Sequence, residues 1–94
     1  MTILNARPNR NGSTLTSMVD DLMSLRDAVA KADAALRVVM NDPCHGRNYQ
    51  TVPNSISARS ADLALLGSYR DSLMALDRLA LDTAVQMRQE AGIL

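Results

Sequence analysis

The chain has 94 residues, a formal net charge of +0, 47% hydrophobic residues and 2% aromatic residues, with one Cys and one His. At this length we expect one domain that buries about 60–65% of its unfolded surface, and a single Cys excludes both an internal disulfide and a multi-thiolate metal site. Zero net charge argues against nucleic-acid binding through bulk electrostatics, so we expect no nucleic-acid partner.

Residues 1–13 contain little that a core could bury. The segment carries Arg7, Pro8 and Arg10 among several Asn residues and a Gly. We predict a flexible N-terminal arm that is mobile or lies on a partner. Because the segment lacks a signal-type apolar run and the chain lacks about 18 consecutive apolar residues, we expect a cytoplasmic protein without a membrane partner.

The next segment has the heptad spacing of a helix that packs along one side. Ser13, Thr14 or Thr16 can cap its start, and Asn41-Asp42-Pro43 stops it, which predicts a helix over about residues 14–40. The stripe that faces the other helix, here called the seam, is predicted to contain Leu15, Met18, Leu22, Leu25, Val29, Ala32, Leu36 and Val39.

A second helix is predicted over about residues 58–91, with Ser57 as its cap and Gly92 after its end. Tyr69 occupies a seam position, so we expect its ring in the core and its hydroxyl at the rim. The predicted seam is Leu63, Leu66, Tyr69, Leu73, Leu76, Ala80, Thr83 or Ala84, and Met87. Residues 14–94 are therefore expected to form one all-α domain, a long antiparallel helical hairpin.

Apolar residues also lie outside these seams. One partner helix covers a stripe of about 100–140°, so a lone hairpin would leave apolar side chains in water. We therefore expect a homo-oligomer, either a four-helix dimer or a larger closed ring. Arg70, Asp77 and Arg88 project at nearly the same angle beside the surplus stripe. Either the arginine stems lie along the surface and form pairs with Asp20, Asp27 or Asp33 of the first helix, or the charged residues form a polar layer between subunits. The predicted interface is Met23, Leu63, Arg70, Met74, Asp77, Leu81 and Val85.

The connection over residues 41–57 is the strongest indication of a functional site. It is longer than the usual 2–8 residues and holds the single Cys and the single His. Arg and Tyr beside two amides suit an anion or a base edge, which predicts a ligand site at His45, Arg47, Asn48, Tyr49 and Gln50. The alternative is that Arg47 pairs with Asp42 while Tyr49 packs over the end of the hairpin. Cys44 is expected to be a small buried hydrophobe.

Catalytic and cofactor signatures are absent from the sequence. Cys44 and His45 are adjacent in the chain, so their side chains diverge, and no acid, base and nucleophile can be assembled within one copy. One Cys and one His also fall short of four zinc ligands. We expect no enzyme activity, no metal and no cofactor.

The stretch His45-Gly46-Arg47-Asn48-Tyr49, followed by a Pro and a long amphipathic helix, resembles small helical proteins of phages and prophages. In those proteins a His-x-Arg-(Asp/Asn)-Tyr stretch joins two helices, and the resemblance covers residues 45–90. Gln50 departs from the pattern, because a second aromatic residue is expected there. In size and in its need to oligomerise, the chain is also similar to phage anti-defence proteins that sequester signalling nucleotides, although none of their binding residues maps onto it.

Two functions follow as hypotheses. The first is a non-enzymatic oligomeric protein that binds a small anionic ligand, with a cyclic or other nucleotide as the leading candidate, and sequesters such a signal for a phage. The second is a protein-binding inhibitor or adaptor of a phage or mobile element, which would dock on a host protein through its helix face and its arm.

Overall fold

A computed structural model of the chain describes residues 2–92. Two long α-helices, α1 (Leu15–Asn41) and α2 (Ser55–Glu90), are joined by a connection that contains a short 3-10 helix, Gly46–Tyr49. No strand occurs among the described residues. The predicted all-α helical hairpin is confirmed, and oligomeric assembly stays a prediction.

The ends of the helices agree with the predicted ends to within three residues. The Thr14 hydroxyl accepts a hydrogen bond from the Ser17 amide at 3.1 Å, so Thr14 is the cap among the three candidates. The second helix begins at Ser55 and not near Ser57, because Asn54 takes a φ of 53° and its carbonyl already accepts the amide of Ala58. Asn tolerates this left-handed conformation better than most residues.

The chain divides into two compact units. The first unit combines the chain up to Val29 with the chain from Met74 onward, and the second contains Ala30–Leu73. Each helix therefore contributes one part to each unit.

In the first unit, α1 and α2 share an apolar core that the arm helps to cover. The buried residues of this core are Val19, Leu22, Ala80, Ala84 and Met87. In the arm, the Leu4 amide donates to the hydroxyl of the fully buried Thr83 at 3.0 Å, and Arg7 pairs with Glu90 at 2.6 Å. These contacts hold residues 4–7 of the arm on α2, and its predicted flexibility stays a prediction.

In the second unit, the most buried charged side chain is Asp33. Its carboxylate accepts hydrogen bonds from Arg70 of α2 at 2.7 Å and 3.4 Å, and Arg37 lies 3.3 Å away on α1. The hydrogen bond from Arg70, with the positive charges of both arginines, lowers the pKa of Asp33. A charged residue thus occupies a seam position because its charge is paired across the seam.

The observed seam of α1 departs from the predicted one at every second position. Val19 and Asp33 are buried where Met18 and Ala32 were predicted, and Ala32 and Val39 are exposed. Spacings of three and four residues fall nearly equally on either side of a helix stripe, and apolar residues occupy both flanks. Sequence spacing therefore could not decide which flank faces α2.

The seam of α2 is partly as predicted. Ala80, Thr83, Ala84 and Met87 are buried. Tyr69 was predicted to lie in the core, and this is wrong, because 59% of its surface is exposed. The inward positions beside it are taken by Leu66, Arg70 and Leu73, which are half-buried.

Candidate functional site

The connection between the helices is a hydrogen-bonded loop and not a loose tether. The amides of Asp42 and Cys44 donate to the carbonyls of Val38 and Val39 at 2.9 and 3.0 Å, which closes the end of α1. Further on, the Val52 amide donates to the carbonyl of Tyr49 at 3.0 Å. The loop is therefore preorganised by its own backbone.

Three of the predicted ligand residues have structural partners within this loop. The Nδ1 atom of His45 accepts the amide of Arg47 at 3.2 Å and caps the 3-10 helix. Asn48 donates from Nδ2 to the carbonyls of Asp42 and Pro43, both at 3.0 Å. The Arg47 guanidinium lies 3.1 Å from the Asp42 carboxylate, as the alternative interpretation proposed, with both side chains largely exposed.

Tyr49 joins the loop to α2. Its ring is buried, and its hydroxyl donates to the Asp62 carboxylate at 2.7 Å. Hydrogen bonding with the Cys44 thiol and with Asp62, together with burial, raises the pKa of Tyr49. Cys44 is buried, as expected. Tyr49 therefore anchors the loop, and its ring is not free to stack on a ligand.

Sequence reasoning missed two residues that complete this anchor. Arg59 donates from Nε to the Cys44 carbonyl at 2.8 Å, and the Asp62 carboxylate accepts a hydrogen bond from the Tyr49 hydroxyl. The two lie three residues apart on α2 and so share one face of the helix. That spacing of an Arg and an acid in the first turns of α2 was the available signal.

A shallow cavity of about 250 Å³ lies beside the anchor. It is lined by Gly46, Tyr49, Ser55, Ile56, Arg59 and Ser60. Gln50 is exposed on the same loop. The structure thus brings His45, Arg47, Asn48, Tyr49 and Gln50 onto one loop, and all of them except Tyr49 are exposed.

The predicted interface residues have mixed surroundings. Met74 is exposed, whereas Met23, Leu63, Leu81 and Val85 are half-buried. Asp77 pairs with Arg26 at 2.9 Å, and Arg70 pairs with Asp33. The pair with Asp33 is one that the within-chain interpretation named for Arg70, whereas Arg26 as the partner of Asp77 was not predicted. A role of either residue between subunits stays a prediction.

The second unit carries an uncharged apolar surface, here called the apolar patch, that consists of Ala32, Val39, Leu65 and Tyr69. Val39 is 40% exposed and Leu65 is 56% exposed. On each helix these residues are displaced from the observed seam by roughly 70–120° in the same rotational sense, at about 100° per residue. In an antiparallel pair, such positions lie on the same face.

Two matching positions of the first unit, Met18 and Thr83, lie beside the arm, whereas Leu25 and Leu76, one heptad from Ala32 and Tyr69, are both 36% exposed. Met18 precedes Ala32 by two heptads, and Thr83 follows Tyr69 by two heptads. Leu4 bonds to Thr83 and lines a small cavity of about 220 Å³ together with Met18. Among the residues that the structure describes, no segment covers the apolar patch in this way.

Other features concern the part of the chain that the structure describes, residues 2–92. No helix in it is long and apolar enough to cross a membrane, and no group of three or more His, Cys, Asp or Glu could hold a metal ion.

A concavity of about 740 Å³ in the first unit is lined by Thr2, Ala75, Leu76, Arg78, Leu79 and Asp82, none of which belongs to the loop.

Comparison with known proteins returns no relative: no protein-family model, no curated protein and no solved structure matches the chain.

Proposed function

We propose that the chain is a non-enzymatic binding protein that acts through protein–protein contact at the apolar patch. The observation that carries this proposal is the exposure of Leu65 and Tyr69, two large side chains that lie one helical turn apart on α2. An exposed apolar surface without charge is typical of the centre of a protein interface, and Tyr is among the residue types enriched there.

The neighbouring charges favour this function. Arg70 and Asp33 are paired with each other within the second unit. A partner that covers the apolar patch therefore leaves neither of these two charges without an ionic partner, and an unpaired buried charge would oppose association. In the first unit the arm already lies against the corresponding positions Met18 and Thr83.

The test is site-specific photo-crosslinking in the cells that produce the chain. A photoreactive residue is placed at Tyr69, and the matched control carries it at Ala64, which is exposed on another side of α2. We expect a product from Tyr69 only, and the captured protein should bind the purified chain but not its Tyr69→Arg variant. Equal capture from both positions, or none, would contradict the proposal.

A second candidate function is binding of a small anion, such as a nucleotide, at the loop. The observation that favours it is the exposed Arg47 guanidinium on a hydrogen-bonded loop next to the cavity that Arg59 lines. A guanidinium can hold a phosphate with two parallel hydrogen bonds. Asp42 competes for the same group, so a ligand must displace this acidic partner.

A thermal-shift screen with nucleotides and cyclic nucleotides tests this second candidate. A ligand at a hundredfold excess over its dissociation constant raises the unfolding free energy by about 2.7 kcal/mol. Arg47→Ala should abolish the shift, whereas Arg78→Ala should retain it, because Arg78 is another largely exposed Arg that is paired with an Asp and lies outside the loop. An unchanged melting temperature with every nucleotide would rule the candidate out.

A further inference from the structure

From the apolar patch we infer that its partner is a second copy of this chain, which packs patch against patch about a two-fold axis. This inference rests on the proposed function and names the partner. The patch consists of Ala32 and Val39 on α1 and of Leu65 and Tyr69 on α2, all within the second unit.

The exposed area of the chain is the first argument. Its accessible surface is 6570 Å² for a mass of 10.2 kDa. A monomeric protein of that mass is expected to expose roughly 5,300 Å². The surplus of roughly 1,250 Å² exceeds the about 800 Å² that each partner buries in an interface of standard size. The surplus belongs to the whole chain, so one further copy accounts for it when the interface extends from the patch onto the surface around it.

The shape of the patch also favours a second copy of the chain as the partner. Its large side chains, Leu65 and Tyr69, lie on α2, and the smaller ones, Ala32 and Val39, lie on α1. A two-fold axis that sets α2 of one copy against α1 of the other places large residues against small ones at both ends. Such a surface is complementary to itself, as an isologous interface requires.

The charge of the surface is the third argument. The patch contains no ionisable side chain apart from the Tyr69 phenol, and the whole chain has a formal net charge of +0. Two identical copies therefore approach without net repulsion. A dedicated partner of strong charge would find no complementary charge within the patch.

The experiment compares neighbouring residues by sedimentation velocity over a range of protein concentrations. Val39→Arg and Tyr69→Arg place a charge inside the patch. Val38→Arg is the matched control, because Val38 is 61% exposed on the same helix and lies about 100° from Val39.

We expect a wild-type particle of twice the chain mass, unchanged in Val38→Arg and at least about tenfold weaker in both patch variants. Circular dichroism of each variant shows whether its helices are intact, and a Val39→Ala variant, which adds no charge, reports on the patch if an arginine variant unfolds. A monomeric wild type at high micromolar concentration would overturn the inference, as would equal weakening by Val38→Arg.

The crosslinking at Tyr69 separates this inference from the proposed function. Capture of a second copy supports both. Capture of a different protein that binds the purified chain, together with a monomeric wild type, overturns the second copy and leaves the protein-binding function in place. Absence of any product contradicts both proposals.

Discussion

Thr83 shows how one buried hydroxyl attaches a segment that has no secondary structure of its own. The side chain is fully buried in α2 and accepts the Leu4 amide at 3.0 Å. The Arg7–Glu90 ion pair also holds the arm on α2, and both of its side chains are more exposed than that of Thr83. Because exposed ion pairs add little stability, the hydrogen bond to the Thr83 hydroxyl contributes more to holding the arm in place.

Replacement of Thr83 by Val should release the arm. The substitution preserves the shape of the side chain but removes the acceptor, which is expected to cost about 1 kcal/mol of unfolding free energy in urea. Trypsin should then cut faster after Arg10, which is exposed in the arm. Thr83→Ser is the control: it keeps the hydroxyl, so the cleavage rate should stay close to that of the wild type.

Asp33 is a buried carboxylate that is kept ionised by its pairing with Arg70. Its folded-state pKa lies below the ordinary value of 3.8, chiefly because Arg70 donates a hydrogen bond to the carboxylate. A depressed carboxyl pKa contributes stability that is present above the unfolded-state value and is lost as the pH falls through the folded-state value. Asp33 therefore stabilises the fold at neutral pH and ceases to do so in acid.

Urea unfolding at several pH values checks this behaviour. The wild type should lose stability as the pH falls below about 4, and Asp33→Asn should be less stable at neutral pH but change less in acid. The two curves should thus converge at low pH. Asp20→Asn, at an exposed position of α1, should follow the wild type. Parallel curves for wild type and Asp33→Asn would contradict the assignment.

At the scale of the elements, the two ion pairs across the seam have opposite polarity. In the first unit Arg26 of α1 faces Asp77 of α2, and in the second unit Asp33 of α1 faces Arg70 of α2. The members of the pairs are one heptad apart on both helices. A slip of one heptad would therefore oppose two arginines or two aspartates, so this arrangement disfavours the wrong register.

Charge reversal tests whether the first of these pairs contributes to stability. Arg26→Asp places a second carboxylate against Asp77, and thermal unfolding should show a clear loss of stability. Asp77→Arg in the same chain restores opposite charges and should recover most of that loss, as a double-mutant cycle measures. If the double variant is as unstable as the sum of the single variants, the pair does not interact in solution.

The hydrogen bond from the Tyr49 hydroxyl to Asp62 attaches the connection between the helices to α2. Because the pKa of Tyr49 is raised above its ordinary value of 10.0, its contribution to stability is complete below that pH and is lost as the pH rises further. Tyr49→Phe removes the hydrogen bond to Asp62 and should destabilise the protein at neutral pH. The variant should also lack the most alkaline step in the phenolate absorbance titration, and persistence of that step would contradict the assignment.

For the whole molecule, association should be visible as a stability that depends on concentration. If two copies share the apolar patch, a tenfold rise in protein concentration favours the folded dimer by about 1.4 kcal/mol. Scanning calorimetry of the wild type should then show a melting temperature that rises with concentration. The melting temperature of Tyr69→Arg should be independent of protein concentration. If the melting temperatures of both proteins depend on concentration to the same extent, the apolar patch is not the dimer interface.

The sequence by itself determined the helical hairpin, the helix ends to within three residues, and a buried Cys44 beneath the connecting loop. These features follow from local signals: heptad spacing, a capping hydroxyl at Thr14, and the stop at Asn41-Asp42-Pro43. The helix ends depend on interactions within a few residues of the chain, so they can be predicted without knowledge of what packs against them, and the burial of Cys44 was expected from its residue type.

Only the tertiary structure decided which flank of each helix faces inward. Asp33 became a seam residue because Arg70, far away in sequence, supplies its partner, and Tyr69 became exposed although it fits the heptad. In the loop, His45, Asn48 and Tyr49 bind the chain itself, through partners such as Asp62 that spacing alone does not identify. The physical reason is that apolar residues on both flanks make the spacing degenerate, and long-range pairing resolves it.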